Sequence, residues 1–414
     1  MTTRPKASPA PTTPDTSGHL AQIKVQDFKC LKRVDLALGQ VNVFVGPNGS
    51  GKSCLLEAIG ILGSCAAGLV DDQSLLRRGV RPGVPELYKS SFEGETMAPK
   101  ISLRAVSSRG VSYQAYITNP AQQPAPYWKF GNEQLTDETG KRIASRGPAG
   151  NATALDLSIP LENNRSVTTL VRASQQTSLA VRTFLSALDN FAIFAPVTPV
   201  LRGIAPDPAP RSPVGLFGGQ LPEAVGLLTA SGKRLLQDAF ELIDWASSIK
   251  VGEGSRLISP SVPTSRYVVE FVDRYMAKGR NVLSGYDASE GALYILFMLV
   301  LAIHGQSPTV LAVDNFDQAL NPRTARGLTR TFVRHVLKQD RQALLTTHNP
   351  LVLDGLDLDD SRVRLFALSR ERRGHTRIQQ VPVKDLKGLK KKYGEFALSR
   401  LWIAGRLGGM PDDV

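Results

Sequence analysis

The amino-acid sequence predicts an α/β fold whose mixed sheet is interrupted by an antiparallel β subdomain and a partly helical insertion. The apolar run Val41–Val45 ends at a glycine and precedes Cys54–Leu62, whose apolar residues recur at helical spacing. Helix and strand patterns alternate again after Tyr286, which is typical of a parallel sheet. Between Asp71 and Arg280 the periodicity weakens and Pro and Gly recur. The core is therefore expected to combine two distant stretches of chain.

Further elements are predicted on both sides of the glycine-ended run. Gln22–Phe28 and Val34–Leu38 alternate apolar and polar residues, and the first is expected to be an edge strand. In the weakly patterned span, Gln175–Ala192 and Leu221–Ile249 are expected to be helices, the second broken at Gly232. The second half is predicted to contain a helix Glu290–Ile303, a strand Thr309–Val313, a helix Pro322–Leu337, a strand Gln342–Thr346, a short helix after Asn349-Pro350 and a strand Val363–Leu368.

Composition is that of an ordinary globular protein, with 42% hydrophobic and 21% charged residues in a chain of 414. No apolar run approaches the roughly 20 residues that span a bilayer, so no membrane association is expected. The net charge of +13 favours a polyanionic ligand, and nucleic acid is one candidate partner; simple solubility is the plainer explanation. Three cysteines without metal-ligand spacing fit a cytoplasmic location. The basic run Lys384–Lys392 is expected to be a solvated helix face.

A complete phosphate-binding motif follows the strand Val41–Val45. Its pattern, G-x-x-x-x-G-K-S, lets backbone N–H groups face phosphates, and the following helix adds the positive end of its dipole. The lysine is expected to reach the β and γ phosphates, and the last hydroxyl to ligate Mg²⁺. The candidate nucleotide contacts are Gly46, Pro47, Asn48, Gly49, Ser50, Gly51, Lys52, Ser53 and the adjoining Cys54.

An aspartate stands where a second Mg²⁺ ligand is needed. Asp314 ends the apolar strand Thr309–Val313, and a carboxylate there would complete the metal shell opposite Ser53. An aspartate after an apolar strand is weak evidence alone. Together with an upstream phosphate loop it becomes strong evidence for a Mg²⁺–nucleotide site.

Three further motifs carry a family resemblance. Ser289-Glu290-Gly291 opens a helix that Ser289 is suited to cap, Asp317–Asn321 follows the Asp314 strand, and Thr346–Pro350, with His348, ends the next strand. The set resembles the head domain of ABC-type ATPases of the RecF/SMC/OLD class, over Ala21–Cys65 and Leu283–Leu368. Within that class, the chain resembles compact ATPases encoded in bacterial antiviral defence systems.

The resemblance implies how these residues act. Ser289, Glu290 and Gly291 would contact the γ-phosphate bound by a second subunit, Ala319-Leu320-Asn321 would cross the dimer interface, and His348 would sense the γ-phosphate. It implies ATP and Mg²⁺ as cofactors, and a homodimer or higher even oligomer formed by an ATP sandwich. The Gln of the family's Q-loop is not placed by the sequence, and Gln73 and Gln114 are the candidates.

One position departs from the family pattern. A catalytic glutamate usually follows the Mg²⁺ aspartate, and this chain has Asn315, an amide that can orient water but cannot accept a proton near neutral pH. Asp317 could take over the role of base, since extended geometry would return it to the same face. Slow hydrolysis and a long-lived ATP-bound dimer are the favoured expectation.

These motifs predict how the chain is divided into domains and what the protein does. We expect a disordered tail (1–18), two parts of an ABC ATPase core (19–95 and 281–370), a β subdomain with a helical insertion or lid (96–280) and a basic C-terminal segment (371–414). The favoured function is a molecular switch that controls a separately encoded effector, plausibly in antiviral defence. The main alternative is a RecF-like DNA-binding repair ATPase. An intrinsic OLD-type nuclease is less favoured, because few carboxylates follow Leu368, and a transporter subunit would need Leu-Ser-Gly-Gly-Gln.

Overall fold

The computed structural model describes residues 18–118, 128–147, 151–155, 157–382 and 397–407, and their strands form three sheets. The largest sheet is antiparallel and has the strand order β2-β1-β4-β5-β6-β7-β8-β9. Its strands, numbered in chain order, are β1 (Leu20–Phe28), β2 (Leu31–Ala37), β4 (Lys100–Ser107), β5 (Ser112–Thr118), β6 (Lys129–Thr136), β7 (Arg142–Arg146), β8 (Ala152–Ala154) and β9 (Leu157–Ile159).

The second sheet is the core of the α/β fold. Its order is β10-β14-β15-β3-β16-β17, and all its pairs are parallel except β16 with β17. The strands are β3 (Val41–Val45), β10 (Ala192–Phe194), β14 (Val310–Val313), β15 (Gln342–Thr347), β16 (Val363–Arg370) and β17 (Thr376–Gln380). Because parallel strands end at one edge of a sheet, the segments after β3, β14 and β15 meet there.

A third, antiparallel sheet and the helices complete the described fold. The small sheet pairs β11 (Ala246–Glu253), β12 (Tyr267–Asp273) and β13 (Val282–Ser284). The helices are α1 (Lys52–Ala67), α2 (Asp72–Leu76), α3 (Thr168–Ala173), α4 (Leu179–Asp189), α5 (Thr198–Leu201), α6 (Leu221–Gly226), α7 (Ala230–Leu235), α8 (Ala239–Leu242), α9 (Glu290–Ile303), α10 (Pro322–Lys338) and α11 (Leu398–Ile403), with 3-10 turns at Pro85–Tyr88, Leu236–Asp238, Gly254–Arg256 and Pro350–Gly355.

The core sheet is buried on both faces, as its continuous apolar strands require. Val43 and Val45 of β3 pack into one apolar cluster with α9 and α10, whereas Phe44 faces the opposite cluster with α1 and the antiparallel sheet. Helix α9 is apolar all round and is buried from Ala292 to Ile303, as expected for a helix enclosed by the fold. The predicted α/β class, with a mixed sheet and an antiparallel β subdomain, is confirmed.

A buried amide ties the antiparallel sheet to the core sheet. Gln342, at the start of β15, accepts a hydrogen bond from the backbone N–H of Leu20 (2.8 Å) and donates to the carbonyls of Leu20 (2.8 Å) and Gly39 (2.7 Å). Its side chain is inaccessible to solvent, so these bonds satisfy groups that water cannot reach. This junction fixes β1 beside the first residue of β15.

Several predicted elements are wrong in their extent or place. Gln22–Phe28 is not at an edge, because β1 pairs with both β2 and β4. The expected helix Gln175–Ala192 is limited to α4: Ser178 caps its start, and Ala192 already belongs to β10. The expected helix Leu221–Ile249 is divided into α6, α7 and α8, and its end pairs as β11 with β12. Here strand pairing overrides local helix propensity.

The terminal predictions concern residues that are only partly described. The expected tail, 1–18, lies outside the described residues except for Gly18, and the run Lys384–Lys392 lies wholly outside them. In the described part of the C-terminal segment, Leu401 and Leu407 are buried against the α9–α10 cluster.

Candidate functional site

The phosphate loop joins β3 to α1, and a Cβ at Gly46 or Gly51 would come too close to neighbouring atoms. A Cβ at Gly46 would lie 2.4 Å from the carbonyl oxygen of Leu368, and one at Gly51 would lie 2.5 Å from Thr376 Oγ1. Gly51 also has a φ of 101°, in the left-handed region that side chains disfavour. Thr376 donates to the Ser50 carbonyl (2.9 Å), so β17 helps to hold the curled loop.

Lys52 lies inside the curl of this loop. Its ammonium donates to the carbonyls of Gly46 (2.7 Å) and Pro47 (2.9 Å). Burial lowers the Lys52 pKa, and the negative charges of Asp314 and Asp317 oppose that shift. The ammonium is thus desolvated beside exchangeable carbonyl partners, which suits it to bind phosphate oxygens.

The predicted Mg²⁺ ligands lie together, Ser53 in the first turn of α1 and Asp314 directly after β14. Ser53 Oγ donates to Asp314 Oδ2 at 2.7 Å, and Thr346 Oγ1 donates to the other carboxylate oxygen. The same Thr346 hydroxyl accepts a hydrogen bond from the Asn315 N–H (2.9 Å). A hydroxyl and a carboxylate are hard oxygen donors, so this pair fits Mg²⁺ that retains waters and phosphate oxygens. Thr346 belongs to a motif that the sequence indicates, but its position alone predicts no such role.

The chain turns immediately after Asp314, and the predicted extended path to Asp317 is therefore wrong. Asn315 has a φ of 55°, a left-handed conformation that Asn tolerates better than most residues, and its side chain is exposed. Its carbonyl accepts a hydrogen bond from the Tyr294 hydroxyl (2.9 Å). The turn nevertheless brings Asn315 and Asp317 to one open cavity of about 770 Å³, with Asn48 and His348.

Asp317 is buried and held by the end of β15. Thr347 Oγ1 donates to Asp317 Oδ1 at 2.7 Å, and His348 Nε2 lies 3.5 Å from Asp317 Oδ2. The His348 side chain is 53% exposed, whereas that of Asp317 is 4% exposed. The carboxylate can therefore orient the imidazole toward the open cavity.

Ser289, Glu290 and Gly291 lie at the exposed start of α9. Ser289 caps the helix as predicted, accepting a hydrogen bond from Ala292 N–H (3.3 Å), and Glu290 accepts one from the Thr198 hydroxyl. A Cβ at Gly291 would lie 3.2 Å from the Ala319 carbonyl oxygen, so glycine permits close packing of the two motifs. Ser289 and Gly291 line a second cavity of about 720 Å³, together with Ala319, Leu320 and Asn321.

The two cavities divide the predicted site residues into two groups. The phosphate loop, Asp314, Asn315, Asp317 and His348 are brought together, whereas Ser289 and Gly291 face the other cavity. Ala319 and Leu320 line both cavities. The segment Ala319-Leu320-Asn321, which is expected to cross a dimer interface, thus lies between the cavity beside the phosphate loop and the cavity at the start of α9.

Neither glutamine candidate lines these cavities. Gln114 lies on β5 and donates to Tyr116 Oη (2.8 Å), and Gln73 lies in α2 beside Arg78. Sequence reasoning missed β10, whose last residue, Phe194, accepts a hydrogen bond from Asp314 N–H (3.0 Å). A strand of three residues has too little periodicity to be recognised. Sequence reasoning also missed Arg370, whose guanidinium donates to the Gly49 carbonyl (3.2 Å).

Two absences concern only the residues that the structure describes. Within those ranges, no group of three or more His, Cys, Asp or Glu side chains is placed to hold a metal ion by itself. In the same part of the chain, no helix has the length and apolar character needed to cross a bilayer.

Sequence comparisons identify relatives of this chain. The chain is 44% identical over 43 residues to an OLD nuclease of Thermus scotoductus, and 43% identical over 63 residues to the DNA replication and repair protein RecF of Renibacterium salmoninarum. These stretches are 10% and 15% of this chain, and 8% and 16% of the two relatives. The chain therefore matches only a small part of each relative's length.

A solved structure shares the fold over most of the chain. The SMC head bound to the C-winged helix domain of ScpA superposes with a TM-score of 0.53 and 13% identity, over 89% of this chain and 99% of that one. A family described as "AAA domain, putative AbiEii toxin, Type IV TA system" matches residues 41–354. The chain belongs to this AAA-domain family, and the predicted resemblance to ABC-type ATPases of the RecF/SMC/OLD class is confirmed.

Proposed function

We propose that the protein is a molecular switch in which two subunits bind two ATP molecules between them and hydrolyse them slowly. The observation that supports this most directly is the separation of Ser289 from the phosphate loop of its own chain. Ser289 is exposed at the N-terminus of α9, on a cavity other than the one that Asn48 and His348 line. A helix N-terminus with an exposed hydroxyl attracts an anion, and the γ-phosphate of a second subunit is the proposed one.

Within one subunit, the proposed roles follow from position and chemistry. Lys52 and the loop N–H groups would bind the phosphates, and Ser53 with Asp314 would hold Mg²⁺. Bound Mg²⁺ would neutralise charge on the β and γ phosphates. Asn315 orients the attacking water, and His348 contacts the γ-phosphate.

Slow hydrolysis is proposed because the residue at the usual position of the base cannot accept a proton. The Asn315 amide is exposed to the cavity, whereas the Asp317 carboxylate is engaged by Thr347 and lies beside His348. General-base catalysis typically contributes ~10²–10⁴-fold to rate. Without general-base catalysis, a pair of subunits would remain closed on ATP for longer. ATP would then serve mainly to hold the dimer together.

Replacing Ser289 with arginine is expected to abolish ATP-dependent dimerisation, because a long cation would occupy the space of the proposed phosphate contact. The measurement is the mass of the purified protein by light scattering, with and without Mg²⁺-ATP. Ser178→Arg is a matched control, since Ser178 caps α4 through the same type of bond, also at 3.3 Å. A dimer that forms without ATP and persists in Ser289→Arg would rule out the switch.

The proposed output of the switch is control of a separately encoded effector. The family description includes the words "putative AbiEii toxin, Type IV TA system", and one relative is named a nuclease, which supports a role beside a toxic activity. Antiviral defence is the setting that we propose for it. Purification of the tagged protein with its genomic neighbours, with and without ATP, tests this. If wild type and Ser289→Arg bind the effector equally well, effector binding does not depend on the ATP-driven dimer.

A RecF-like function on DNA is the second candidate, and a basic face of α10 favours it. Arg323, Arg326 and Arg330 are all exposed, and their spacing of three and four residues places them on one side of the helix. Arginines arranged in this way can follow a phosphate backbone, and a match to RecF covers part of the chain.

If this second candidate holds, replacing all three arginines with alanine will weaken DNA binding equally for unrelated sequences. The slope of log affinity against log salt should fall by about 0.9 for each DNA phosphate that the variant no longer neutralises. The control is Arg109, Arg142 and Arg165 changed together, since all three are exposed on or beside the antiparallel sheet. No binding of duplex by wild type at low salt with ATP would exclude the DNA function.

A further inference from the structure

A further cavity, here called the distal cavity, lies at the opposite end of the core sheet from the phosphate loop. Helix α1 begins at that loop with Lys52 and ends with Ala67, which lines the distal cavity, and a helix of 16 residues spans about 24 Å. Thr309 lines the distal cavity just before β14, whereas Asp314 follows β14. The volume is about 980 Å³, and the other walls are residues 71–78, 189–190, 210–212 and 306–308. The distal cavity is therefore separate from the candidate Mg²⁺–nucleotide site.

Hydrogen bonds join the walls of the distal cavity. Arg211 donates to the carbonyls of Arg77 (2.5 Å) and Asn190 (2.7 Å). Its neighbour Ser212 donates to the side-chain carbonyl of Gln306 (2.6 Å). The segment 210–212 is thus held against the residues that follow α2, those that follow α4 and those that precede β14. The cavity has fixed walls contributed by four parts of the chain.

Two arginines give the distal cavity a positive charge that no ion pair neutralises. Asp189 is already engaged on both carboxylate oxygens, by Arg78 (2.5 Å) and by Arg172 (3.0 Å). Arg77 and Arg211 also line the cavity, and neither forms an ion pair with any residue that the structure describes. An anion in the cavity would therefore meet two guanidinium groups that are not already paired with a carboxylate.

Arg211 is the more desolvated of these two cations. A guanidinium has five N–H donors, and the two carbonyls that Arg211 contacts leave the others available. Burial lowers the pKa of Arg211 to about 10, and the charges of Arg78 and Arg77 add to this effect against the opposing charge of Asp189. The guanidinium stays protonated near neutral pH, in surroundings where a bound anion would stabilise it.

The remaining carboxylate of the cavity is engaged by the backbone, and one buried hydroxyl is available. Asp71 caps α2 by accepting a hydrogen bond from the Ser74 N–H (2.7 Å). Ser307 is 7% exposed, and its hydroxyl has no hydrogen-bond partner within the described ranges of the chain. A buried polar group without a partner is costly, and an acceptor oxygen of a ligand would satisfy it.

We propose that the distal cavity is a second ligand site and that it binds a nucleoside monophosphate. Guanidinium groups pair with phosphate oxygens through parallel hydrogen bonds, so Arg77 and Arg211 would hold the single phosphate group. Side-chain amides combine a donor with an acceptor, as the edges of bases do, and Gln73, Asn190 and Gln306 line the same cavity. A volume of about 980 Å³ suits a whole nucleotide, since ordinary ligand sites measure roughly 300–1,000 Å³.

Calorimetric titration of the four ribonucleoside monophosphates into the full-length Lys52→Ala protein, in EDTA, tests the site. EDTA removes Mg²⁺ and the substitution removes the ammonium of the phosphate loop, so binding at that loop is suppressed. At least one of the four nucleotides should bind, once per chain, and more tightly than inorganic phosphate, ribose 5-phosphate or citrate. If none of the four binds, or if one of the three other anions binds as tightly as the best nucleotide, the proposal is wrong.

Two substitutions locate the ligand in the distal cavity, both made in the Lys52→Ala protein. Arg211→Gln removes the charge and keeps an amide that can donate to the neighbouring carbonyls. It should weaken binding of the best nucleotide about tenfold or more, the equivalent of one hydrogen bond to a charged group. Arg77→Gln should weaken binding as well, and its side chain is exposed, so the fold does not depend on it. Melting temperatures close to that of the parent protein show that both variants are folded.

Arg109→Gln is the matched control, since Arg109 is exposed in the turn between β4 and β5, away from the distal cavity. It should leave the affinity unchanged. If Arg211→Gln and Arg77→Gln also leave it unchanged, the nucleotide binds elsewhere and the proposal fails. Wild type that binds no Mg²⁺-ATP would contradict the proposed function instead, while the titrations of Lys52→Ala would still decide whether the distal cavity is a site.

Discussion

Lys52→Ala should reduce ATP affinity about 100-fold or more and abolish measurable ATP hydrolysis. The ammonium is buried among loop carbonyls, and its hydrogen bonds to phosphate oxygens would each contribute about 1.5–3 kcal/mol. Losing two such bonds amounts to at least two factors of ten, at about 1.4 kcal/mol for each. Binding of a labelled ATP analogue and steady-state phosphate release are the measurements.

Lys24→Ala is the matched control for this prediction. Lys24 lies on β1 in an ion pair with Asp35 (2.7 Å), and both side chains are nearly half exposed, so its removal costs about 0–1 kcal/mol of stability. The melting temperature of Lys52→Ala should stay close to that of wild type. A folded Lys52→Ala protein that retains wild-type affinity would contradict the proposed phosphate site.

The second large expected effect is a gain in the rate of ATP hydrolysis. Asn315→Glu should raise the steady-state ATPase rate by about 100-fold, because a carboxylate at the exposed start of the turn can accept the proton that an amide cannot. The substitution should also cost about 1–2 kcal/mol of folding stability, since Asn315 has a φ of 55° and glutamate tolerates that conformation less well than asparagine. Phosphate release and thermal unfolding measure the two effects separately.

Asn315→Gln isolates the carboxylate, because glutamine has the size of glutamate without its charge. It should show the loss of stability and no gain in rate. Asp317→Ala completes the set: it removes the buried acceptor of the Thr347 hydrogen bond and the partner of His348. If Asp317→Ala abolishes a robust wild-type activity while Asn315→Glu changes nothing, Asp317 is the base and slow hydrolysis is wrong.

The edge of the fold that carries the candidate site could be predicted because its signals are local. Residues 46–53 form a complete motif between a strand and a helix, and Asp314 and His348 each follow a clear apolar strand. Parallel pairing then brings these strand ends together, as the Ser53–Asp314 hydrogen bond shows. What each residue does there stays a prediction until the variants are measured.

The parts that could not be predicted depend on contacts between distant segments. Thr376 supports the phosphate loop from β17, more than 300 residues away along the chain. The expected helix Leu221–Ile249 was wrong because its last residues pair with β12, and no local pattern reports that pairing. The extended path after Asp314 was wrong because Asn315 takes a left-handed conformation.

Strand β15 is anchored at both of its ends, and this limits how the molecule can transmit a signal. Gln342 fastens its start to β1, and Thr346 and Thr347 fasten its end to Asp314 and Asp317. Hydrogen bonds to β14 and β3 on either side prevent the strand from sliding alone. The geometry at Asp314 is therefore insulated from small displacements of the antiparallel sheet. Under the proposed function, a change in the bound nucleotide would then act outward through the exposed turn that follows Asp314, and a partner that reads the switch is expected to contact the molecule there.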